Sequence, residues 1–270
     1  MALNLYSKNK LNNGIEIPIL GLGVYQTPPG ETTFQTVKYA LDIGYRHIDT
    51  ARLYGNEEDV GKAIRESGIS REEIFVTTKV WNSDQGYNST LKALENSLRR
   101  LSLSYVDLYL IHWPVQGRII ETWKALINIL KDNKSRSIGI SNYSIKEIKE
   151  TMQSSNIVPS VNQIEFHPFL YQKDILQFCN DNNIQVEAYS PLTRGIRLID
   201  STITKIAKKY NKTSAQILIR WSIQHGLVVI PKSVHRNRIL ENSQIFDFNL
   251  GEEDMNQLDS LNEDLHTVFL

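Results

Sequence analysis

The sequence lacks the residue patterns that would bind a metal, a membrane or a nucleic acid. Its only cysteine, Cys179, excludes an internal disulfide and any cysteine-rich zinc site, and we expect it in the core. Thirty basic and thirty acidic side chains leave no net charge to attract nucleic acid or an anionic membrane. The six histidines show no metal-ligand spacing. We therefore expect no metal, no nucleic-acid partner and no membrane partner.

Long apolar segments are absent as well. No stretch approaches the ~20 apolar residues of a membrane helix, and residues 1–8 lack a basic region followed by an apolar run. We expect a soluble cytoplasmic protein. No linker rich in Pro, Gly or Ser and no low-complexity stretch divides the chain, so residues 1–270 are predicted to form one domain.

Strand-like and helix-like segments alternate from Ile19 to Ile239, a pattern typical of a parallel sheet covered by helices. Most of the strand-like segments are continuous apolar runs, as expected when both faces of a sheet are buried. The number of these segments favours a closed α/β barrel, a (β/α)8 TIM barrel. The eight predicted strands are 19–24, 45–48, 74–80, 105–111, 136–140, 160–164, 185–189 and 227–230.

Three further features are predicted around this barrel. Residues 11–15 contain an Asn-Gly pair and predict a β-hairpin that closes the amino end of the barrel. Two consecutive helices, 201–210 and 214–224, separate the last two strands, so one helix is additional to the simple alternation. Asn56 is expected to cap the helix that begins at Glu57.

Four polar residues, Asp49, Tyr54, Lys79 and His112, lie at or near the ends of predicted strands. In a parallel α/β sheet, ligands bind at the carboxyl ends of the strands, so one shared site is expected. Tyrosine has a pKa near ~10 and becomes a useful acid where a cation stabilises its phenolate, a role that Lys79 fits. Asp49 would keep Lys79 charged, and His112 would donate a hydrogen bond to a carbonyl oxygen. The alternative is a buried Asp-Lys pair beside an unrelated Tyr and His, but the placement of all four favours acid-assisted carbonyl reduction.

Several longer motifs point to one family. Residues 44–51 read GYRHIDTA, 110–114 read LIHWP, 140–143 read ISNY and 230–233 read IPKS. These motifs resemble signatures of the aldo-keto reductases, and the similarity continues over almost the whole chain. The resemblance implies a β/α barrel that binds NADPH in an extended form and transfers hydride to an aldehyde or ketone. Tyr54 would then be the proton donor, with Asp49, Lys79 and His112 as the other catalytic residues.

The same resemblance implies where NADPH is bound. Ser141, Asn142 and Gln163 would hydrogen-bond the nicotinamide amide, and Tyr189 would stack on the nicotinamide ring. The other predicted cofactor contacts are Val24, Asp49, Ser190, Pro191, Leu192, Ile230, Lys232, Ser233, Arg238, Glu241 and Asn242.

The residues themselves support a phosphate at one of these positions. Lys232 and Arg238 flank Ser233 where the eighth strand ends and a helix begins, and a helix N-terminus favours an anion. The alternative is a solvated basic helix start. Because the chain has no net charge, a phosphate explains this local cluster better than nucleic acid does, and NADPH is preferred to NADH.

The substrate site is predicted from aromatic residues and short loops. Tyr25, Trp81 and Trp113, together with His112, are expected to surround a carbonyl substrate. The loop after residues 112–114 and the C-terminal tail are short, which predicts an open site for small or varied aldehydes and ketones. In this the chain resembles compact bacterial-type members such as diketogluconate, glyoxal and methylglyoxal reductases and prostaglandin F synthase-like enzymes. We expect a monomer.

Two other functions are compatible with parts of the pattern. A cofactor-sensing regulatory protein on the same barrel would keep every cofactor residue but turn over little substrate. A Schiff-base aldolase would use Lys79 as a nucleophile. That role requires a neutral lysine, whereas a neighbouring Asp49 would keep Lys79 charged.

Overall fold

The computed structural model describes residues 3–268. Eight parallel strands pair in chain order, each with its sequence neighbour, and every crossover passes through helical segments on the outside. The predicted α/β barrel is confirmed, although the first and last strands are shorter than predicted. The barrel strands are β3 (Leu22–Gly23), β4 (His47–Asp49), β5 (Phe75–Val80), β6 (Val106–Ile111), β7 (Ser135–Ser141), β8 (Val161–Glu165), β9 (Gln185–Tyr189) and β10 (Val228–Val229).

Backbone hydrogen bonds between the first and last strands close the barrel. Gly21 N donates to Val229 O at 2.9 Å, and Val229 N donates to Ile19 O at the same distance. Gly23 N extends this pairing to Pro231 O at 3.1 Å. A closed sheet has no unpaired edge, so the carboxyl ends of all eight strands surround one opening.

In the described part of the chain ten α-helices cover the barrel, and their apolar faces pack on the outer faces of the strands. Trp123 and Trp221 lie fully buried in this helical layer, and Cys179 is buried there too, as predicted. Two consecutive helices, α7 (Ser201–Tyr210) and α8 (Ser214–Gln224), separate β9 from β10, which confirms the additional helix. The helices are α1 (Glu31–Asp42), α2 (Glu57–Arg65), α3 (Tyr87–Leu101), α4 (Ile119–Lys131), α5 (Ile145–Gln153), α6 (Lys173–Asp181), α7 (Ser201–Tyr210), α8 (Ser214–Gln224), α9 (Arg236–Ser243) and α10 (Glu252–Asp259).

None of the helices between residues 3 and 268 is long and apolar enough to cross a bilayer. The assignment of residues 1–270 to one domain stays a prediction.

The predicted hairpin closes the amino end of the barrel. Its strands, β1 (Lys8–Lys10) and β2 (Glu16–Pro18), pair antiparallel. The Asn12 side chain donates to Pro159 O at 3.0 Å, and the Asn13 side chain donates to Arg136 O at 2.9 Å. These bonds attach the turn to the barrel, while apolar residues of the hairpin join Phe75, Leu108, Leu110, Val161 and Val228 in a small core cluster.

Asn56 does not cap α2 through its side chain, so that prediction was wrong. The residue occupies the N-cap position, but its side chain is fully buried and points away from the helix. Its Nδ2 donates to Val24 O at 3.0 Å, and its Oδ1 accepts from the Thr50 hydroxyl at 2.8 Å. Asn56 therefore joins the loop after β3 to the loop after β4, next to the barrel opening.

Helices α2 and α3 touch at Gly61. A Cβ atom at this position would lie 2.0 Å from the Leu101 carbonyl oxygen, which is backbone and has little room to move. The absence of a side chain at Gly61 therefore sets how closely the two helices approach.

We expect Gly61→Ala to lower the free energy of unfolding by about 2 kcal/mol, because overpacking outweighs the gain in helix propensity. Urea unfolding followed by circular dichroism measures this change. Glu58→Ala, on the exposed side of the same helix, is the control and should change stability by less than ~0.5 kcal/mol. Equal stabilities of Gly61→Ala and wild type would contradict the close packing.

Candidate active site

The four residues singled out in the sequence meet at the carboxyl end of the barrel. Asp49 ends β4, Lys79 is the penultimate residue of β5, and His112 directly follows β6. Tyr54 ends a short 3-10 helix, Arg52–Tyr54, in the loop after β4. Neighbouring parallel strands and one loop therefore bring the four side chains together, as predicted.

Lys79 is the centre of this group. Its Nζ donates to Asp49 Oδ1 at 2.6 Å, to Thr50 O at 3.0 Å and to the Tyr54 hydroxyl at 3.2 Å. An ammonium group has three hydrogens, so all of its donors are used. The Lys79 side chain has no exposed surface, and that of Asp49 is only 3% exposed. The result is a buried ion pair that holds a cation against the tyrosine hydroxyl.

The pKa of Tyr54 differs from the sequence-based expectation. Burial, and after it the negative charge of Asp49, raise the pKa of Tyr54 well above 10. The expected acidification by Lys79 is wrong for the resting site, because desolvation of the phenolate outweighs the neighbouring cation. Tyr54 is thus protonated at neutral pH, which is the state that a proton donor requires. Lys79 is placed to stabilise the phenolate that a proton transfer would leave.

His112 is neutral. Burial and the nearby charge of Lys79 hold the pKa of His112 well below 6.5. Its Nδ1 is buried without a hydrogen-bond partner, which costs least when that nitrogen carries no proton. The proton is therefore assigned to Nε2, and the ring can donate one hydrogen bond. The Tyr54 and Trp81 rings contact it edge-on, with centroids at 5.6 and 5.2 Å.

A cavity of about 700 Å³ runs along this end of the barrel. It contains Asp49, Tyr54 and His112, whereas Lys79 lies buried behind them. Nearly all of the predicted cofactor residues line it, as do Tyr25 and Trp113 from the predicted substrate site. The predicted cofactor residues that line the cavity are Asp49, Ser141, Asn142, Gln163, Tyr189, Ser190, Pro191, Leu192, Ile230, Lys232, Ser233, Arg238, Glu241 and Asn242.

Besides Lys79, two predicted site residues, Val24 and Trp81, do not line the cavity. Val24 is fully buried, and its carbonyl oxygen accepts from Asn56 while Gly23 reaches the cavity in its place. Trp81 packs edge-on against His112 and does not border the open space. Val24 thus supports the loop, and Trp81 holds the His112 ring.

Polar side chains at one end of the cavity form a connected network. Ser141 donates its hydroxyl to Gln163 O at 2.8 Å, and Asn142 Nδ2 donates to His112 O at 3.0 Å. The Tyr189 hydroxyl donates to Asn142 Oδ1 at 2.8 Å. Asn142 has a φ of 63°, a left-handed conformation that asparagine tolerates better than most residues. This network fixes the tyrosine ring and the amides close to His112.

A second carboxyl group lies beneath Gln163. Gln163 Nε2 donates to Asp49 Oδ2 at 2.8 Å and to Glu187 Oε2 at 2.7 Å. Burial, followed by the negative charge of Asp49, raises the pKa of Glu187 to about 8. The adjacent His47 is also fully buried, and burial lowers its pKa to about 3. Glu187 and His47 are therefore both neutral at pH 7.

The other end of the cavity is basic. Lys232, Arg238 and Arg194 line it, and within residues 3–268 neither Lys232 nor Arg238 has an ion-pair partner. Burial and then the charge of Arg194 lower the pKa of Lys232. These cations repel one another and face a common cavity, so an anionic ligand such as a phosphate would be stabilised there. Helix α9 begins beside them and adds backbone donors.

The sequence did not single out several residues that line the cavity, most of them from loops. Arg194 connects separate segments of the cavity wall. Its guanidinium donates to Gln26 Oε1 at 3.0 Å and to Thr267 O at 3.1 Å. Loop sequences carry no periodic pattern, so nothing in the sequence indicated these contacts. The residues concerned are Gly23, Gln26, Leu53, Arg194, Gly195, Leu198, Ala215, Val234, His235 and Val268.

The short C-terminal tail returns to the cavity. The buried carboxylate of Glu165, at the end of β8, accepts from Thr267 N at 2.9 Å and from the Thr267 hydroxyl. Val268 then lines the cavity wall. Even this short tail therefore contributes to the cavity wall, and the expectation of an open site stays a prediction.

Comparisons with known proteins agree with this geometry. The sequence pattern of the Aldo/keto reductase family matches residues 19–263. The glyoxal reductase of Bacillus subtilis (strain 168) is 50% identical over 264 residues, which are 98% of this chain and 96% of that protein. Methylglyoxal reductase DkgA of Yersinia pestis is 45% identical over 250 residues, 91% of this chain and 89% of that protein. A Bombyx mori aldo-keto reductase in complex with NADP has a TM-score of 0.93 at 37% identity, covering 100% of this chain and 96% of that chain.

The raised pKa of Glu187 predicts a pH dependence of stability. Between the ordinary value of 4.5 and about 8, the folded protein holds a proton on Glu187 that the unfolded chain has released. The free energy of unfolding therefore falls as the pH rises through this range, by up to ~1.4 kcal/mol per pH unit. Glu187→Gln removes this contribution. Urea unfolding at about pH 5.5, 6.5 and 7.5 should show that the variant gains stability relative to wild type with each increase in pH.

Glu58→Gln is the control for this measurement, because Glu58 is exposed. Its stability should change with pH in parallel with that of wild type. Parallel curves for Glu187→Gln and wild type would show that Glu187 does not hold its proton in the folded state.

Proposed function

Because the chain belongs to the aldo/keto reductase family, we propose that it uses NADPH to reduce small aldehydes and ketones to alcohols, glyoxal and methylglyoxal among them. The observation that carries this proposal is the contact of buried Lys79 with the Tyr54 hydroxyl on the wall of a cavity whose other end is basic. The first feature suits proton donation to a carbonyl oxygen, and the second suits a cofactor phosphate.

The proposed roles of the four polar residues follow from their charges. The substrate oxygen lies between the Tyr54 hydroxyl and the protonated nitrogen of His112. Tyr54 donates its proton to this oxygen, and Lys79 stabilises the resulting phenolate through the 3.2 Å contact. Asp49 keeps Lys79 charged and oriented through the 2.6 Å ion pair. NADPH, when bound, supplies the hydride that reaches the carbonyl carbon.

His112 orients the carbonyl as a neutral donor. A protonated imidazole beside Lys79 would add a second cation to a buried site, which the lowered pKa of His112 prevents. The ring is held by edge contacts with Trp81 and Tyr54, so its donor direction is fixed before substrate binds. Among the four polar side chains, Tyr54 is then the one whose charge changes during the reaction.

The cavity suits an extended dinucleotide with its nicotinamide near Tyr54. We assign Ser141, Asn142 and Gln163 to the carboxamide and Tyr189 to the face of the ring. Ser190, Pro191 and Leu192 follow along the pyrophosphate. Lys232, Ser233 and Arg238 would bind the phosphate on the adenosine ribose, while Ile230, Glu241 and Asn242 complete the wall towards the adenine.

The substrate site is the part of the cavity that the nicotinamide ring would not occupy. Tyr25 and Trp113 provide flat walls, and Leu53 and Val268 narrow the opening. A cavity of about 700 Å³ that must also contain most of a dinucleotide leaves room for a short carbonyl compound. The names of the two curated relatives favour dicarbonyls of this size. A monomeric state and a cytoplasmic location stay predictions.

Spectrophotometric assay of NADPH oxidation tests this function. Methylglyoxal, glyoxal and a panel of larger aldehydes and ketones should reveal turnover, with the short dicarbonyls among the better substrates. A protein that binds NADPH but reduces nothing in the panel would favour the cofactor-sensing alternative. The aldolase alternative is disfavoured because all three Lys79 donors are engaged; covalent trapping of a keto substrate at Lys79 by borohydride would revive it.

Removing the Tyr54 hydroxyl should abolish most of the reduction and leave the cofactor bound. We expect Tyr54→Phe to lower kcat by ~10²- to 10⁴-fold, because general acid catalysis is lost. NADPH binding, measured by fluorescence titration, should change little. Tyr109→Phe is the control, since it removes a buried hydroxyl that has no hydrogen-bond partner and does not line the cavity. Undiminished turnover by Tyr54→Phe would refute Tyr54 as the donor.

Arg238 should distinguish the two nicotinamide cofactors. Arg238→Ala should weaken NADPH binding by ~10- to 100-fold, because a charge-assisted hydrogen bond to the extra phosphate is lost. NADH binding should change by less than ~2-fold, because NADH lacks that phosphate. Arg236→Ala is the matched control: Arg236 starts the same helix but does not line this cavity, and its guanidinium lies 4.7 Å from the Tyr39 ring centroid. Equal weakening of both cofactors by Arg238→Ala would refute the phosphate contact.

A further inference from the structure

The interior of the barrel beneath the active site contains two polar residues, Gln163 and Glu187, that the proposed proton transfer does not use. Gln163 and Glu187 are register partners on β8 and β9, so their side chains lie side by side in the barrel. Both are buried, with exposures of 2% and 0%. Asp49, on strand β4 across the barrel interior, completes the set by accepting a hydrogen bond from Gln163.

The amide of Gln163 is held in one orientation. Its Nε2 has two hydrogens, and they point to Asp49 Oδ2 at 2.8 Å and Glu187 Oε2 at 2.7 Å. Rotating the amide by half a turn would place its carbonyl oxygen against two carboxyl oxygens and remove both hydrogen bonds. The amide nitrogen is therefore directed into the barrel. Since Gln163 lines the cavity, its carbonyl oxygen is the polar atom left for a ligand.

Glu187 has a second contact that keeps its own carboxyl in place. Its Oε1 lies 3.5 Å from His47 Nε2, and that ring nitrogen is 3.1 Å from the Thr77 hydroxyl. The His47 ring also meets the Pro18 backbone carbonyl, so its proton is assigned to Nδ1 and Nε2 is left as the acceptor. Oε1 of Glu187 has no other hydrogen-bond partner among the described residues. A proton on Oε1, directed at His47, leaves Oε2 free to accept from Gln163.

The charges around Glu187 agree with a protonated acid. Among residues 3–268, Asp49 on β4 and Lys79 on β5 form the one ion pair that faces it. His47 is neutral, because burial lowers its pKa to about 3. Burial and the charge of Asp49 raise the pKa of Glu187 to about 8. Ionised Glu187 would put two negative charges across one amide, and its charge would further raise the pKa of Tyr54.

We propose that Glu187 is a positioning residue: with Asp49 it fixes the Gln163 amide so that the carbonyl oxygen faces the carboxamide of the nicotinamide cofactor. This inference rests on the proposed function, which places the carboxamide beside Gln163. The Gln163 oxygen then accepts from the carboxamide N–H and limits rotation of the ring. Glu187 itself touches neither cofactor nor substrate.

A cofactor analogue provides a direct test. In the 3-acetylpyridine analogue of NADP⁺ a methyl group replaces the carboxamide NH₂, so the donor to Gln163 is missing while the phosphates are unchanged. Dissociation constants for NADP⁺ and for the analogue are measured by fluorescence titration. Wild type should prefer NADP⁺ by roughly 10-fold, the effect of one hydrogen bond. The ratio of the two constants cancels any effect of a variant on the shared phosphates.

Two near-isosteric variants separate hydrogen bonding from volume. Glu187→Gln keeps an oxygen that accepts from Gln163 and should keep the preference for NADP⁺. Glu187→Met fills the same space without an acceptor, so the Gln163 amide can turn, and the preference should fall to ~2-fold or less. Thermal unfolding shows whether each variant is folded. If Glu187→Met does not fold, Glu187→Ser, whose hydroxyl is too short to reach Gln163, takes its place with the same expectation.

The outcomes separate this inference from the proposed function. Retention of the wild-type preference by folded Glu187→Met, or its loss in Glu187→Gln, overturns the positioning role. Binding of both cofactors by wild type with equal affinity also overturns it, but leaves the reductase activity standing. Failure of wild type to bind NADP⁺ at all overturns the proposed cofactor and the inference with it.

Discussion

The active site depends on one buried ion pair, that of Lys79 with Asp49. Burying two charges is costly unless their geometry is good and their remaining hydrogen-bonding groups are satisfied. Here the ammonium group uses all three hydrogens, and Asp49 accepts from Gln163 as well as from Lys79. The closed barrel makes this arrangement possible, because strands β4, β5 and β8 hold the three side chains on a rigid backbone. Removing either charge would leave the other buried and unpaired, so we regard the pair as the structural condition for the position of Tyr54.

Around this pair the barrel interior is kept electrically neutral. Glu187 and Tyr54 stay protonated, and His47 and His112 each keep a single ring proton. All four side chains are therefore neutral, in each case chiefly because of burial. Proton transfer from Tyr54 would therefore create the single new negative charge in the site, directly against Lys79. The proton donor thus need not be acidic at rest. It needs a cation that is already in place when the proton leaves, and a surrounding that contains no further negative charge.

The sequence predicted what depends on strand positions and missed what depends on loops and on the inner layers of the barrel. The eight strands follow from apolar runs, and Asp49, Lys79 and His112 follow from the carboxyl ends of those runs. Arg194 and Val268 come from irregular segments, whose positions are set by contacts with distant residues. Glu187 was overlooked although it carries a signal, since it is a charged residue two positions before Tyr189 in a strand and therefore shares its side of the sheet. The pKa of Tyr54 was misjudged because the cost of burial cannot be read from a sequence.

The two ends of the cavity differ in exposure, and this difference assigns them different physical tasks. Lys232 and Arg238 are cations at the more exposed end, and they can supply affinity by attracting an anion. At the other end, hydrogen bonds within the protein hold the side chains of Gln163 and Asn142, and edge contacts with Tyr54 and Trp81 hold the His112 ring. A ligand there meets groups whose orientation is already set. Because folding has already ordered these side chains, ligand binding does not bear the entropy cost of ordering them. Binding strength and the geometry of hydride transfer are therefore separable in this fold, and residues at one end can change with limited effect on the other.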